Sequence, residues 1–195
     1  LTEFNLTYKN PATTINNVAG LGVSSFLNGQ FFAEYLRVGM KYGAHMMTPW
    51  SLLEGGGNGS STDFGYIGGS WSAPVFRSSF YHLQMVSAYL LPGGYLPAVS
   101  GEQLAVMLLN EEAAGQQPFT LRLNDDPIAA TTGAKVNVSA GLAREFSGTL
   151  ENQSTAVLIF DTAGNLRQRV FYSLARNQLN LPPLVETFPV FTRAP

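Results

Sequence analysis

The 195-residue chain contains no cysteine. This excludes disulfide cross-links, thiol nucleophiles and cysteine-ligated zinc, and leaves the compartment undecided. Charge is scarce as well. Asp, Glu, Lys and Arg together make up 12% of the residues and the net charge is −2, which fits neither a disordered polyelectrolyte nor a basic nucleic-acid binder. No apolar run reaches about 18 residues, so no membrane span is expected. No serine sits in a G-x-S-x-G turn, which removes support for that form of nucleophilic catalysis. The glycine run of residues 55–61 has no lysine and does not match a phosphate-binding loop. The two histidines, His45 and His82, lack the paired acidic pattern of a metal centre. Neither metal nor cofactor is expected.

Apolar and aromatic residues are plentiful. Hydrophobic residues make up 45% of the chain and include 13 Phe, 8 Tyr and 2 Trp, enough for the core of one medium domain or two small ones. Residues 1–6 read as the end of a buried strand. Residues 26–42 read as a helix with an N-cap at Ser24 or Ser25 and a stop at Gly43. Gln30, Glu34, Arg37 and Lys41 form its polar face; Leu27, Phe31, Tyr35 and Val38 form its apolar one. Residues 44–50 read as a second short strand. A second helix is expected over residues 74–90, with Pro74 in its first turn and Phe76, Phe80, Leu83 and Leu90 near one stripe. Strand, helix, strand, helix is the grammar of parallel β/α units.

The pattern changes near residue 97. Leu104 to Leu109 is apolar on both faces. Phe119, Leu121 and Leu123 alternate with polar residues, as do Val136 and Val138. Residues 156–160 form a continuous apolar run. The turn Asp161-Thr162-Ala163-Gly164-Asn165 lets residues 166–174 return antiparallel. Short strands without a helical stretch point to a β-sandwich. The proline-bearing tail from Asn180 reads as an extended surface strap. The expected domains are 1–96, built of β/α units, and 97–195, the sandwich with its strap.

β/α units carry function at the C-terminal ends of their strands. Glu3 lies at the end of the first strand and Trp50 at the end of the second. A carboxylate that attacks an anomeric carbon and a flat ring that packs on the apolar face of a sugar are the parts of a saccharide site. In this context Leu1-Thr2-Glu3-Phe4-Asn5 resembles the seventh-strand motif of clan A retaining glycoside hydrolases, and Thr48-Pro49-Trp50-Ser51-Leu52 resembles the eighth. The segment that starts at Pro74-Val75-Phe76 is similar to the last barrel helix. Gln153-Ser154-Thr155-Ala156-Val157-Leu158-Ile159-Phe160-Asp161 is similar to the sandwich that follows the barrel in agarase-, xylosidase- and arabinofuranosidase-like members. The resemblance implies the last two β/α units of a TIM barrel followed by an antiparallel β-sandwich. It also implies Glu3 as nucleophile, Trp50 as sugar platform, a carbohydrate substrate, and a secreted or periplasmic bacterial location.

One departure is decisive. Retaining hydrolysis needs two carboxyl groups about 5 Å apart, and in the clan the acid/base Glu precedes the nucleophile; nothing upstream of Glu3 supplies it. A closed barrel needs about 250 residues. The chain, which opens without Met, therefore reads as one piece of a longer enzyme, inactive by itself, with the missing N-terminal part of the barrel as its partner. Asn110-Glu111 mimics the acid/base dipeptide but lies downstream, at the end of a sandwich strand, and is rejected. Asn5, His45, Glu54 and Trp71 complete the substrate-contact candidates. Glu54 reads equally as a surface carboxylate and His45 as a satisfied core histidine; Trp71 and Tyr66, placed on the glycine-rich loop, read equally as outer sugar platforms and as aromatics that pin that loop to the barrel. His82 reads as structural. The alternative function is a non-catalytic β-sandwich module, either a buttress or a weak carbohydrate binder.

Overall fold

The computed structural model describes residues 3–5, 22–54, 64–90, 103–123, 144–161 and 163–189. Helix α1 spans Phe26–Lys41. The Ser25 side chain accepts the Asn28 N–H at 3.1 Å, capping the first turn. At the other end Gly43 takes φ 72°. Its N–H bonds Met40 O, and the Ala44 N–H bonds Gly39 O at 2.9 Å. This is the six-to-one and five-to-two pairing of a Schellman stop, at the glycine the sequence nominates.

The buried side of α1 is not the expected one. Phe26, Asn28, Gly29, Gln30, Phe32 and Ala33 are buried, whereas Val38 is 40% exposed. Two layers compete for this helix. Phe32 turns to Phe4, with ring centroids 5.0 Å apart, and Phe26 turns to Tyr172, at 5.4 Å. Gln30 is buried because it bonds the sheet, as described below.

The second helix is also shorter than expected. Ile67–Ser70 (β1) and Ala73–Phe76 (β2) form an antiparallel hairpin, and only then does α2 begin, at Ser78–Tyr89. Pro74 therefore lies in a strand opposite Gly69 rather than in the first turn of the helix. A two-stranded pair leaves one edge of each strand unpaired, and there the missing proline N–H costs nothing. α2 buries Tyr81, His82, Met85 and Val86 against α1 and the sheet. The segment read as a second strand, residues 44–50, pairs only at Pro49, through a parallel bridge to Phe4. Too few residues align there for a ladder.

The larger sheet is antiparallel, in the order β3-β6-β7-β8. Its strands are Gln103–Asn110 (β3), Ser154–Asp161 (β6), Leu166–Ser173 (β7) and Leu184–Thr187 (β8). β6 is central and almost wholly buried, as its apolar run requires. Asp161 organises the β6–β7 turn: one carboxylate oxygen accepts the N–H groups of Ala163 and Asn165 at 3.0 and 2.9 Å. Burial opposes ionisation of Asp161, but these bonds outweigh it and hold the carboxyl below its ordinary range. Part of the expected strap is strand β8. A short helix, Leu174–Gln178 (α3), capped by Ser173, stands where no helix was expected. A second antiparallel pair joins Gln117–Leu123 (β4) to Arg144–Leu150 (β5). The expected strand around Val136 and Val138 lies outside the described residues, as does the glycine run 55–61.

Alternation along β6 divides the core. Val157 and Ile159, with Val170 and Tyr172, meet Phe26, Tyr81 and Met85 from the helices. Ala156, Leu158 and Phe160 meet Leu150 and the partly buried Phe119, Leu121 and Phe146. Helices thus cover one face of the sheet and the β4–β5 pair the other. Residues on both sides of the expected boundary at 96 and 97 share the first of these clusters.

Candidate functional site

The Phe4–Pro49 bridge is where α1 begins to matter for chemistry. The Phe4 N–H bonds Thr48 O at 3.0 Å, and Phe4 O accepts the Trp50 N–H at 3.0 Å. The two extended segments run parallel at this bridge, with α1 between them in sequence. Phe4 is buried and packs on α1, its ring 4.7 Å from Tyr35 and 5.0 Å from Phe32. Alternation along an extended segment then directs Glu3 and Asn5 to the opposite side.

Glu3 is exposed and Trp50 is 51% exposed. The Asn5 amide donates to Trp50 O and to Phe64 O at 2.9 Å, tying the first strand end to the next two extended segments. The Trp50–Ser51 peptide is cis. Beyond it, Tyr66 N–H bonds Ser51 O at 2.9 Å and Ile67 N–H bonds Leu52 O at 3.0 Å. The parallel pairing is thereby handed from Trp50 to the β1–β2 hairpin.

The other expected contacts are distributed unevenly. Both Glu54 oxygens are engaged locally, one by the Ser51 hydroxyl at 2.8 Å and one by the Phe64 N–H at 2.9 Å. Its carboxylate therefore staples the turn after Trp50. His45 is exposed in the stretch after α1. Trp71 is 77% exposed at the tip of the hairpin, not on the glycine-rich loop, and Tyr66 sits at the hairpin's base with its ring 6.3 Å from Phe32. Glu3, Asn5 and Trp50 are thus brought to one strand edge, with Glu54 just behind and Trp71 further out. Asn110 is structural: its amide donates to Glu151 O at 2.7 Å and its carbonyl accepts the Glu112 N–H at 3.1 Å. Glu111 and Glu112, with Glu34, line an open depression of about 550 Å³. Among the described residues no three His, Asp or Glu side chains are grouped to hold a metal ion, and no helix is long and apolar enough to cross a membrane.

A buried polar network joins helices to sheet; His82 reads as structural from the sequence, whereas the part of Gln30 in it does not show there. His82 is fully buried. Its Nδ1 lies 2.8 Å from Ser78 O, which only accepts, so Nδ1 carries the proton; Nε2, 2.7 Å from the Thr155 hydroxyl, accepts from it. Burial pushes the imidazole pKa down to about 4, against a smaller opposing effect of the Ser78 carbonyl. The Ser78 hydroxyl donates to Phe26 O at 2.8 Å. The Gln30 amide donates to Asn110 O and Ser154 O, both at 3.1 Å, and to the Thr155 hydroxyl at 3.4 Å. The one signal in the sequence was a glutamine on a helix whose neighbours i+4 and i+7 are charged, and it pointed outward.

No family model, no curated protein and no solved structure matches this chain.

Proposed function

We propose that this chain is the C-terminal piece of a retaining glycoside hydrolase acting on β-linked saccharide. In this reading Glu3 is the nucleophile, Trp50 the sugar platform, residues 3–90 the last two β/α units of a barrel, and the sheets beyond residue 103 the β-sandwich that follows. The observation that carries the reading is the parallel pairing of Phe4 with residues 48–50. It sets an exposed carboxylate and a half-exposed indole on adjacent strand ends, while Phe4 between them anchors to the helix.

The chemistry follows from that arrangement. The Glu3 carboxylate attacks the anomeric carbon as the glycosidic oxygen leaves with a proton from a second carboxyl group about 5 Å away. Water then displaces Glu3 from the glycosyl carbon. Glu54 does not suit the second role, since both of its oxygens are bonded to the turn; the reading assigns that carboxyl to the rest of the barrel. Trp50 offers its ring to the sugar's C–H face, and Asn5 fixes the backbone that carries it.

The test is Glu3→Gln in the longer enzyme. Hydrolysis is expected to fall by about 10³-fold or more. A Glu3→Ala variant is expected to regain turnover with azide, giving a glycosyl azide of inverted configuration. Full activity of Glu3→Gln would remove the assignment.

A second reading, a non-catalytic module, is favoured by the Gln30 and His82 bonds to β6. They make the sheet a buttress for α1 and α2. This role is compatible with the first reading.

A further inference from the structure

The β1–β2 hairpin has a feature the fold does not need. At its base Phe76 stacks on Phe80, with centroids 4.4 Å apart, and Tyr66 meets Phe32; these rings pack the hairpin against the two helices. At its tip Trp71 leaves 77% of its surface in solvent. The indole face is therefore open to a ligand.

The tip is a tight turn. The pairing runs from Ile67↔Phe76 to Ser70↔Ala73, leaving Trp71 and Ser72 as a two-residue turn. Gly69 takes φ +79°, and a Cβ there would lie 2.3 Å from Ala73 O, so only glycine permits this close approach of the strands. The Ser70 and Ser72 hydroxyls are 3.0 Å apart and flank the indole in sequence. Residues 64–76 contain no Asp, Glu, Lys or Arg, so the surface favours a neutral ligand over a nucleic acid or a charged peptide.

The hairpin is continuous with the strand edge that carries Trp50, through the bonds of Tyr66 and Ile67 to Ser51 and Leu52. Trp71 lies four positions beyond Ile67, a reach of roughly 13 Å, commensurate with a few sugar units.

We infer that Trp71 is the platform of an outer saccharide subsite: its indole takes the apolar face of a neutral pyranose, and the Ser70 and Ser72 hydroxyls take that sugar's hydroxyl groups. This rests on the glycosidase reading and deepens it by giving the site a preference for longer chains.

The experiment compares wild type, Trp71→Ala and Trp71→Tyr in the longer enzyme on neutral agaro-, xylo- and cello-oligosaccharides of increasing length. Trp71→Ala is expected to raise KM by about tenfold on the longest substrates, with kcat unchanged and the shortest substrate unaffected; Trp71→Tyr is expected to recover most of the loss. Unchanged KM at every length overturns the subsite. If Glu3→Gln still abolishes hydrolysis in that case, the glycosidase reading stands and only this inference falls. Wild-type protein that neither hydrolyses nor binds any of these glycans, with indole N–H resonances unmoved on titration, overturns both. A Trp71→Ala variant that loses self-association while keeping its KM gives the surface to a second copy and likewise overturns the subsite.

Discussion

The His82 ring nitrogen and the Thr155 hydroxyl, 73 positions apart in sequence, lie 2.7 Å from each other at the centre of the molecule. The residues that face the imidazole bring no charge of opposite sign. Phe26 and Gly29 approach from α1, Ser78 from α2 itself, and Thr155 and the aromatic Tyr172 from the sheet. The helical layer is therefore keyed to the sheet by a neutral histidine.

This sets a pH dependence. The folded pKa is lowered from 6.5 to about 4, so between those values the unfolded chain binds a proton that the folded chain refuses. Stability thus falls as pH drops through this window and levels off on either side of it. The loss attributable to His82 is on the order of 3 kcal/mol by pH 4. Urea unfolding at pH 7, 5.5 and 4 is expected to show a steeper decline for wild type than for His82→Gln. Parallel declines would contradict the assignment.

Thr155→Val keeps the shape and deletes the hydroxyl, leaving Nε2 of His82 buried without its donor. A cost of about 1–3 kcal/mol is expected at neutral pH, whereas Thr155→Ser, which keeps the hydroxyl, costs less. Equal losses in denaturant midpoints would mean that the methyl, not the hydrogen bond, matters there.

At Gly29, α1 lies directly against α2. A Cβ added there would lie 2.2 Å from His82 Nδ1 and 2.3 Å from the Ser78 hydroxyl. Gly29→Ala gains about 1 kcal/mol of helix propensity but is expected to lose net about 2 kcal/mol through overpacking. Gly39→Ala meets the flexible thioether of Met47 instead and is expected to be milder. A Gly29→Ala protein that melts at or above the wild-type temperature would show that the helices separate without cost.

Asn5 ties Trp50 O to Phe64 O. In a Trp71→Phe background, where Trp50 is the remaining indole, Asn5→Ala is expected to raise acrylamide quenching of its fluorescence. Unchanged quenching would mean that the strand edge holds the indole by other contacts.

Much of this was legible in the residues. The Ser25 cap and the Gly43 stop of α1 were readable because both are local chemistry. The apolar run of β6 and its turn at Asp161 were readable for the same reason. Trp50 stood out by residue type and by the proline before it. What sequence spacing does not encode is which of two layers a side chain will meet. Gln30 shares a helical face with Glu34 and Arg37, which pair with each other at the surface, yet it is buried because the sheet arrives one turn earlier. Pro74 fits a helix start and a hairpin equally well, and the partner strand decides. Glu54 looked free to meet a ligand because its two donors, the Ser51 hydroxyl and the Phe64 N–H, come from a turn closed over it only in three dimensions.

The cluster of Phe26, Tyr81 and Met85 with Val157, Ile159, Val170 and Tyr172 bears on anyone planning to produce this protein in parts. Gene halves divided between the second helix and the first strand of the large sheet would each emerge with a raw aromatic surface, and with Gln30 and Thr155 on opposite pieces. Co-expression should restore them as a complementing pair; separately, each would be headed for the inclusion body.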